Sequence, residues 1–271
     1  MLGNVMGPID ASIVNVVLPT IAEFFNADMS TVQWVTIIYL LTISSFLLLF
    51  GRLGDIFGYK RIYISGLGGF VASSILCGLS STMNMLIFFR SIQGVAAGMI
   101  MSIQYAVITA AFPSTERGRA LGMNAVSIAA GLATGTLLGG MVASLMGWRL
   151  VFYINVPIGV VSLIWASRIL PEEKGEPGGI DIKGATVAFI SLFSFLLLVN
   201  RFQDLGLGLA SISLLSLAMI SSFVFIWIEK NVPQPMLNLS LFSSKTFSFA
   251  NLSAMLNFMS QSWHGHLPIS Q

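Results

Sequence analysis

The chain alternates long apolar runs with short polar breaks. Eight runs are long enough to cross a bilayer, near residues 1–21, 32–50, 62–79, 85–111, 120–146, 150–170, 184–202 and 207–228, because a spanning helix takes about 20 mostly apolar residues. A ninth run begins near Phe247 and does not finish as a span. Stretches such as Phe46-Leu47-Leu48-Leu49-Phe50 lack the period-two alternation of a membrane barrel strand. The other way to satisfy the backbone in lipid is the α-helix. The predicted fold class is all-α and integral to a membrane.

Composition sharpens this picture. Apolar residues make up 55% of the chain and charged residues 9%, and mean hydropathy is +0.87. A soluble domain carries roughly 25% charged residues, so this chain cannot cover a water-facing surface and the lipid bilayer is its expected partner. The net charge of +2 is spread thinly, with no basic block to bind nucleic acid. Cys77 is the single cysteine, which excludes an internal disulfide or a cysteine metal site. His264 and His266 stand near the end and read as incidental rather than as a metal pair. No activated serine, no phosphate loop and no metal-ligand pair lies within a span, so neither an enzyme nor a cofactor is expected. The N-terminus shows no basic region ahead of its apolar run, so no cleavable signal is expected.

Loop charges predict orientation. With the N-terminus in the cytoplasm, the inner side holds Arg52, Lys60, Arg61, Arg117, Arg119, Lys174, Lys183, Lys230 and Lys245, with Arg168 at a span end. The outer side then holds only Arg149 and Arg201 among the bases, beside Glu23, Asp28 and Asp204. Positive charge stays inside, so the chain is expected to be a multi-pass protein of the cell membrane with a cytoplasmic N-terminus. The Pro-, Gly- and charge-rich stretch 171–183 divides a six-helix bundle (1–170) from two further spans (184–228). A loop and the start of another helix follow (229–271).

Two charges stand inside spans. Asp10 lies in the first; an intramembrane carboxylate costs about 2.5–3.5 kcal/mol on insertion scales and faces a cavity or a partner. Burial raises a carboxyl pKa and a nearby cation lowers it. A group pulled both ways can change protonation with conformation, which suits a proton-coupled carrier; the plainer reading is a cap on a broken helix start. Arg90 lies in the fourth span and shares a face with Gln93, Gly94 and Ala97, at spacings of 3, 4 and 7. A polar group followed by small residues suggests a cavity wall packed closely on another helix. The alternative is an arginine that snorkels outward. From a rise of 1.5 Å per residue, Asp10 sits about 16 Å and Arg90 about 9 Å from the outer helix ends. The offset of about 7 Å is within reach of an arginine, so contact between the two, direct or through water or Gln93, is expected.

The stretch Gly51-Arg52-Leu53-Gly54-Asp55-Ile56-Phe57-Gly58-Tyr59-Lys60-Arg61 joins the second and third spans. Its three glycines predict a tight turn, with Asp55 capping the next helix or pairing with Arg61. Retention of positive charge inside explains Lys60 and Arg61 but not Asp55 or the spaced glycines. In the fifth span Gly131, Gly135 and Gly139 recur every four residues, with Gly140 beside them, a small-residue stripe that lets another backbone approach. Trp148-Arg149-Leu150-Val151-Phe152-Tyr153-Ile154-Asn155-Val156-Pro157 opens the sixth span. Trp148 and Tyr153 suit a membrane interface.

These segments resemble the signatures of the major facilitator superfamily. The loop 51–61 resembles its glycine, aspartate and paired-base signature between spans two and three. The fifth-span stripe resembles the antiporter signature, with Thr136 standing where that signature has proline. The Trp148 segment is similar to a motif of the fourteen-span drug:proton antiporters. The regions Asp10–Pro19 and Arg90–Gly98 resemble that family's first- and fourth-span motifs. Together the matches cover roughly residues 7 to 160, in order.

The resemblance implies a six-helix half built of inverted three-helix repeats, then two linker spans and the start of a second half. It implies proton-coupled efflux of small hydrophobic or cationic compounds. Asp10 would be the proton carrier, with Arg90 and Gln93 its partners. Gly51, Asp55, Gly58, Lys60 and Arg61 would form an inner gate. Import of a metabolite and a non-transporting membrane subunit are the alternatives. Residues 262–271 do not read as a span, so a truncated or frameshifted fragment is expected, unable to transport unless a separate C-terminal half joins it.

Overall fold

The computed structural model describes residues 2–264 except 173, 174, 176–178, 180, 207, 233, 234 and 238. The side chains of 2, 143–146, 203, 204, 254, 255 and 257–264 are also outside the description. Glu173, Lys174, Glu176 and His266 therefore fall outside it, as do the side chains of Asp204 and His264.

Among the described residues, eight helices, or pairs of helices in line, are long and apolar enough to span a membrane. They are α1 (Leu2–Phe25), α2 with α3 (Met29–Val32 and Trp34–Phe57), α4 (Tyr59–Gly78) and α5 (Met83–Ala111). Next come α6 (Arg117–Met146), α7 with α8 (Arg149–Tyr153 and Asn155–Ile169), α9 (Ile182–Leu205) and α10 (Leu209–Asn231). A 3₁₀ turn (Leu239–Ser243) and α11 (Lys245–His264) complete the described chain. No strand occurs among the described residues.

Local chemistry fixes the ends. Thr82 accepts from the Met85 amide at 3.3 Å and caps α5. Asp28 caps α2, and the hydroxyls of Ser30 and Thr31 hold its exposed carboxyl below the usual range. Gly58 (φ 91°) and Gly147 (φ 83°) end α3 and α6 in a backbone conformation that L side chains avoid. The turn expected from three glycines thus uses only Gly58. Gly51 and Gly54 lie inside α3, which runs seven residues past the predicted end at 50. The reason for the second glycine is packing: a Cβ on Gly54 would meet Tyr59 at 2.9 Å and Ile103 at 3.0 Å.

In the bundle, α1 packs along α6, α3 along α5, and α4 along α5 and α8. Span one thus pairs with span five, and span two with span four. These two pairings exchange under inversion of spans one to three onto four to six, as an inverted repeat requires. Helices α9 and α10 pack on each other, and α9 joins the bundle along α3, with Phe189 on Phe46 at 4.9 Å.

The core has two apolar clusters. One, around Ile13, Val17, Val35, Leu86, Trp148 and Phe152, lies toward the end predicted to be outer. The other, around Met6, Ile43, Leu67, Phe70, Ala97 and Ile100, lies toward the end predicted to be inner. Trp148 is buried at 3% exposure rather than placed at the interface. The turn at Gly147 folds it back onto Phe25 and Phe152, while Arg149 beside it donates to the Ser80 carbonyl at 3.0 Å. The aromatic residue is spent on core packing, and the arginine ties down the turn.

A buried charge cluster as candidate functional site

Asp10 lies eight residues inside α1, in mid-helix, and so caps nothing. Ile9 and Ile13 on either side are buried in the core. Arg90 is held by α5 between Leu86 and Gly94, and its side chain is fully buried rather than snorkelling outward. The two meet between the apolar clusters: Arg90 Nη1 donates to Asp10 Oδ2 at 2.5 Å, with both side chains at 0% exposure.

Every helix around the pair contributes. From α5, Gln93 accepts from Arg90 Nη1 at 2.6 Å and donates to Asp10 Oδ1 at 3.2 Å. The same amide donates to Ser74 of α4 at 2.8 Å. From α3, the Val35 carbonyl accepts from Arg90 Nε at 3.0 Å, and the Tyr39 ring lies under the guanidinium at 4.0 Å. From α8, Asn155 donates to Asp10 Oδ1 at 2.7 Å. Asp10 thus receives three donors from three residues. A buried charge pair is tolerated only when such extra hydrogen bonds offset its desolvation, and bonds to charged groups contribute about 1.5–3 kcal/mol each. Arg90 Nη2, Tyr39 Oη and Asn155 Oδ1 remain buried without a partner, so the network holds spare donor and acceptor capacity.

Asp10, Arg90 and Gln93 are brought together, as their depths anticipated. Asn155, Ser74, Val35 and Tyr39 were not singled out, although Asn155 stands in the sixth-span motif; a buried asparagine in an apolar run was the available signal.

The other site residues lie elsewhere. Asp55 neither caps α4, whose cap residue Gly58 has no side chain, nor pairs with Arg61; Tyr59 one turn on donates to it at 2.8 Å. The turn at Gly58, between the end of α3 and the start of α4, brings the Tyr59 hydroxyl within reach of Asp55. Lys60 and Arg61 line a groove with Glu172 at the end predicted to be inner. The α6 stripe faces α1. A Cβ on Gly131 would meet Val5 at 2.9 Å, one on Gly135 the Ile9 carbonyl at 2.8 Å, and one on Gly139 Ile13 and Val16 at 3.1 Å. Gly140 faces open space and takes no part in that contact. Thr136 forms a hydroxyl pair with Ser12 at 2.7 Å, so the position expected to carry proline instead cross-links the two helices.

The comparisons with known proteins agree with this architecture. The family model described as Major Facilitator Superfamily matches residues 1–267. The methylenomycin A resistance protein of Bacillus subtilis is 35% identical over 260 residues, covering 95% of this chain and 56% of the relative. The riboflavin transporter RibZ of Clostridioides difficile is 30% identical over 265 residues, covering 96% and 56%. The chain therefore spans about half the length of the relatives it matches. Among solved structures, the POT family transporter PepTSo superposes with a TM-score of 0.61 at 13% identity, over 87% of this chain and 54% of that one, a likeness of fold alone. By its motifs, its paired spans and its match along nearly the whole sequence, the chain belongs to the major facilitator superfamily.

Proposed function

We propose that this chain is the proton-coupling part of a carrier that exports small hydrophobic or cationic compounds across the cell membrane. The observation that carries this reading is the buried Asp10–Arg90 pair with its Gln93 and Asn155 bonds. While Asp10 is ionised, it and Arg90 neutralise each other and α1 is drawn to α5. Protonation of Asp10 removes the attraction and leaves Arg90 buried with the Val35 carbonyl, the Gln93 amide and the Tyr39 ring. A buried cation without its counter-ion is costly, so the protonated site favours a different spacing of α1 and α5. A proton thereby becomes a force on helix position, which alternating access requires.

Export is favoured over import by the resistance protein among the relatives and by the small-residue seam between α1 and α6. Uptake of a metabolite is the second reading, supported by the relative named as a riboflavin transporter. The relatives' greater length and the exposed outer face of α6 suit docking of a second half of the carrier, whether in the same polypeptide or a separate one.

Transport by inverted membrane vesicles expressing the gene tests the proposal. An imposed proton gradient should drive a cationic dye into the vesicles, and Asp10→Asn should abolish that drive while leaving membrane insertion intact. Unchanged proton-driven uptake in Asp10→Asn removes the coupling role. Riboflavin movement in place of dye movement transfers the cargo to the second reading.

A further inference from the structure

A second polar feature lies one to two turns nearer the predicted inner face, apart from the charge cluster. A cavity of about 170 Å³ opens between α1, α4, α5 and α8, lined among others by Asn4, Tyr63, Gln104, Ser162 and Trp165. Met6, Leu67 and Phe70, all fully buried, fill the level between it and Asp10. At that level Gly159 lets α8 approach so closely that a Cβ there would strike Val71 and, at 2.9 Å, Met6. The cavity is thus sealed from the ion pair by apolar packing.

Its wall is mostly apolar with polar groups placed singly. Ser162 is 4% exposed, and its Oγ is buried without a hydrogen-bond partner. Gln104 is also 4% exposed and lines the same space. Tyr63 donates its hydroxyl to Asn4 Oδ1 at 2.8 Å, which leaves the phenolic oxygen as an acceptor on the wall. A buried hydroxyl with no partner is disfavoured until something supplies one. A cavity of about 150 Å³ holds one benzene ring, so this space matches a single ring with a short substituent. Trp165 and Ile169, 56% and 73% exposed, stand at its edge on the lipid side.

We infer that this cavity is a binding site for a small, largely apolar molecule of one-ring size bearing a hydroxyl or similar hydrogen-bonding group, entering from the inner leaflet. The ring fills the apolar space, and the hydroxyl pairs with Ser162 Oγ. The site is joined to the moving parts of the bundle. The Asn4 side chain that accepts from Tyr63 also donates to Asn124 Oδ1 of α6 at 2.8 Å, bridging α4, α1 and α6. Occupancy of the cavity therefore bears on the α1–α6 seam, on the helix that carries Asp10.

Fluorine NMR with 4-fluorobenzyl alcohol tests this on the full chain in lipid nanodiscs, with empty nanodiscs as the partitioning blank. Expected is saturable binding of one molecule per chain above the blank. Ala166→Phe, which places a ring in the cavity, should weaken it at least about tenfold. Ser162→Ala, a change the fold tolerates easily, should weaken it about fivefold, the worth of one hydrogen bond. Signal no different from empty nanodiscs overturns the site. So does saturable binding that neither substitution changes. The readout is binding, so loss of the proton-coupling role at Asp10 would leave this result standing.

Discussion

Helices α5 and α6 are nearly equal in length, at 29 and 30 residues, and their most apolar spanning windows have the same mean hydropathy. Yet half of the spanning window of α5 is buried against 17% of that of α6. The difference lies in what each helix carries on its inward face. Helix α5 is wedged between α3 and α4 and brings Arg90, Gln93 and Gly94 to them; a Cβ on Gly94 would meet the Tyr39 carbonyl at 2.8 Å. Helix α6 leans mainly on α1 through one glycine stripe and turns Val126, Leu137 and Met141 outward, at 70%, 72% and 61% exposure. Apolarity tells only that a helix lives in lipid. Polar and small residues decide which face meets protein.

The contrast can be broken hardest at Arg90. Arg90→Ala leaves the Asp10 carboxylate buried with its cation gone, and we expect a loss of about 3–5 kcal/mol, read by reversible unfolding in mixed micelles. The double change Asp10→Leu with Arg90→Leu should recover most of that loss, because an apolar pair can replace a buried ion pair at little cost. If the single variant is as stable as the parent, α5 is not held by its charge.

A smaller effect is expected on α6, and on one face only. Gly135→Val sets a branched side chain against the Ile9 carbonyl and Ser12 and should cost about 1–3 kcal/mol as an overpacked contact. Gly140→Val meets nothing and should stay within about 0.5 kcal/mol. Equal losses at the two glycines in the same unfolding assay would mean that the stripe is not the seam.

The smallest effect belongs to the hydroxyl pair. Ser12→Ala removes the bonds to Thr136 and to the Leu132 carbonyl. The expected cost is about 0.6 kcal/mol, the average for an interhelical hydrogen bond in a membrane protein. Thr136→Val, which leaves the Ser12 bond to the Leu132 carbonyl in place, should cost less, and the double variant should cost no more than Ser12→Ala alone.

Much of this molecule was legible in its sequence, and the exceptions share a cause. The eight spans follow from apolar length alone, and Asp10 and Arg90 announce themselves because charge in lipid needs a partner. Asn155 and Ser74 did not, because neutral polar groups are common in membrane helices. Only the convergence of α4 and α8 on α1 and α5 gives these two a role. Gly51 and Gly54 read as turn residues by the habits of soluble proteins. In this bundle they continue a helix, and at Gly54 the missing side chain makes room for Ile103. Trp148 read as an interface anchor because its amphipathic ring suits one, whereas the turn at Gly147 directs it inward.

The bond from Arg90 Nε to the Val35 carbonyl has a consequence for how such a bundle can change over generations. A main-chain oxygen survives every substitution at position 35 that keeps the helix, so the anchor on α3 is immune to side-chain drift. The planar fork therefore ties two helices together: one nitrogen is fixed to a backbone carbonyl of α3, another to the Asp10 carboxylate of α1. A lysine ammonium, a single point at the end of a flexible stem, could reach either helix but would not hold both in one fixed geometry.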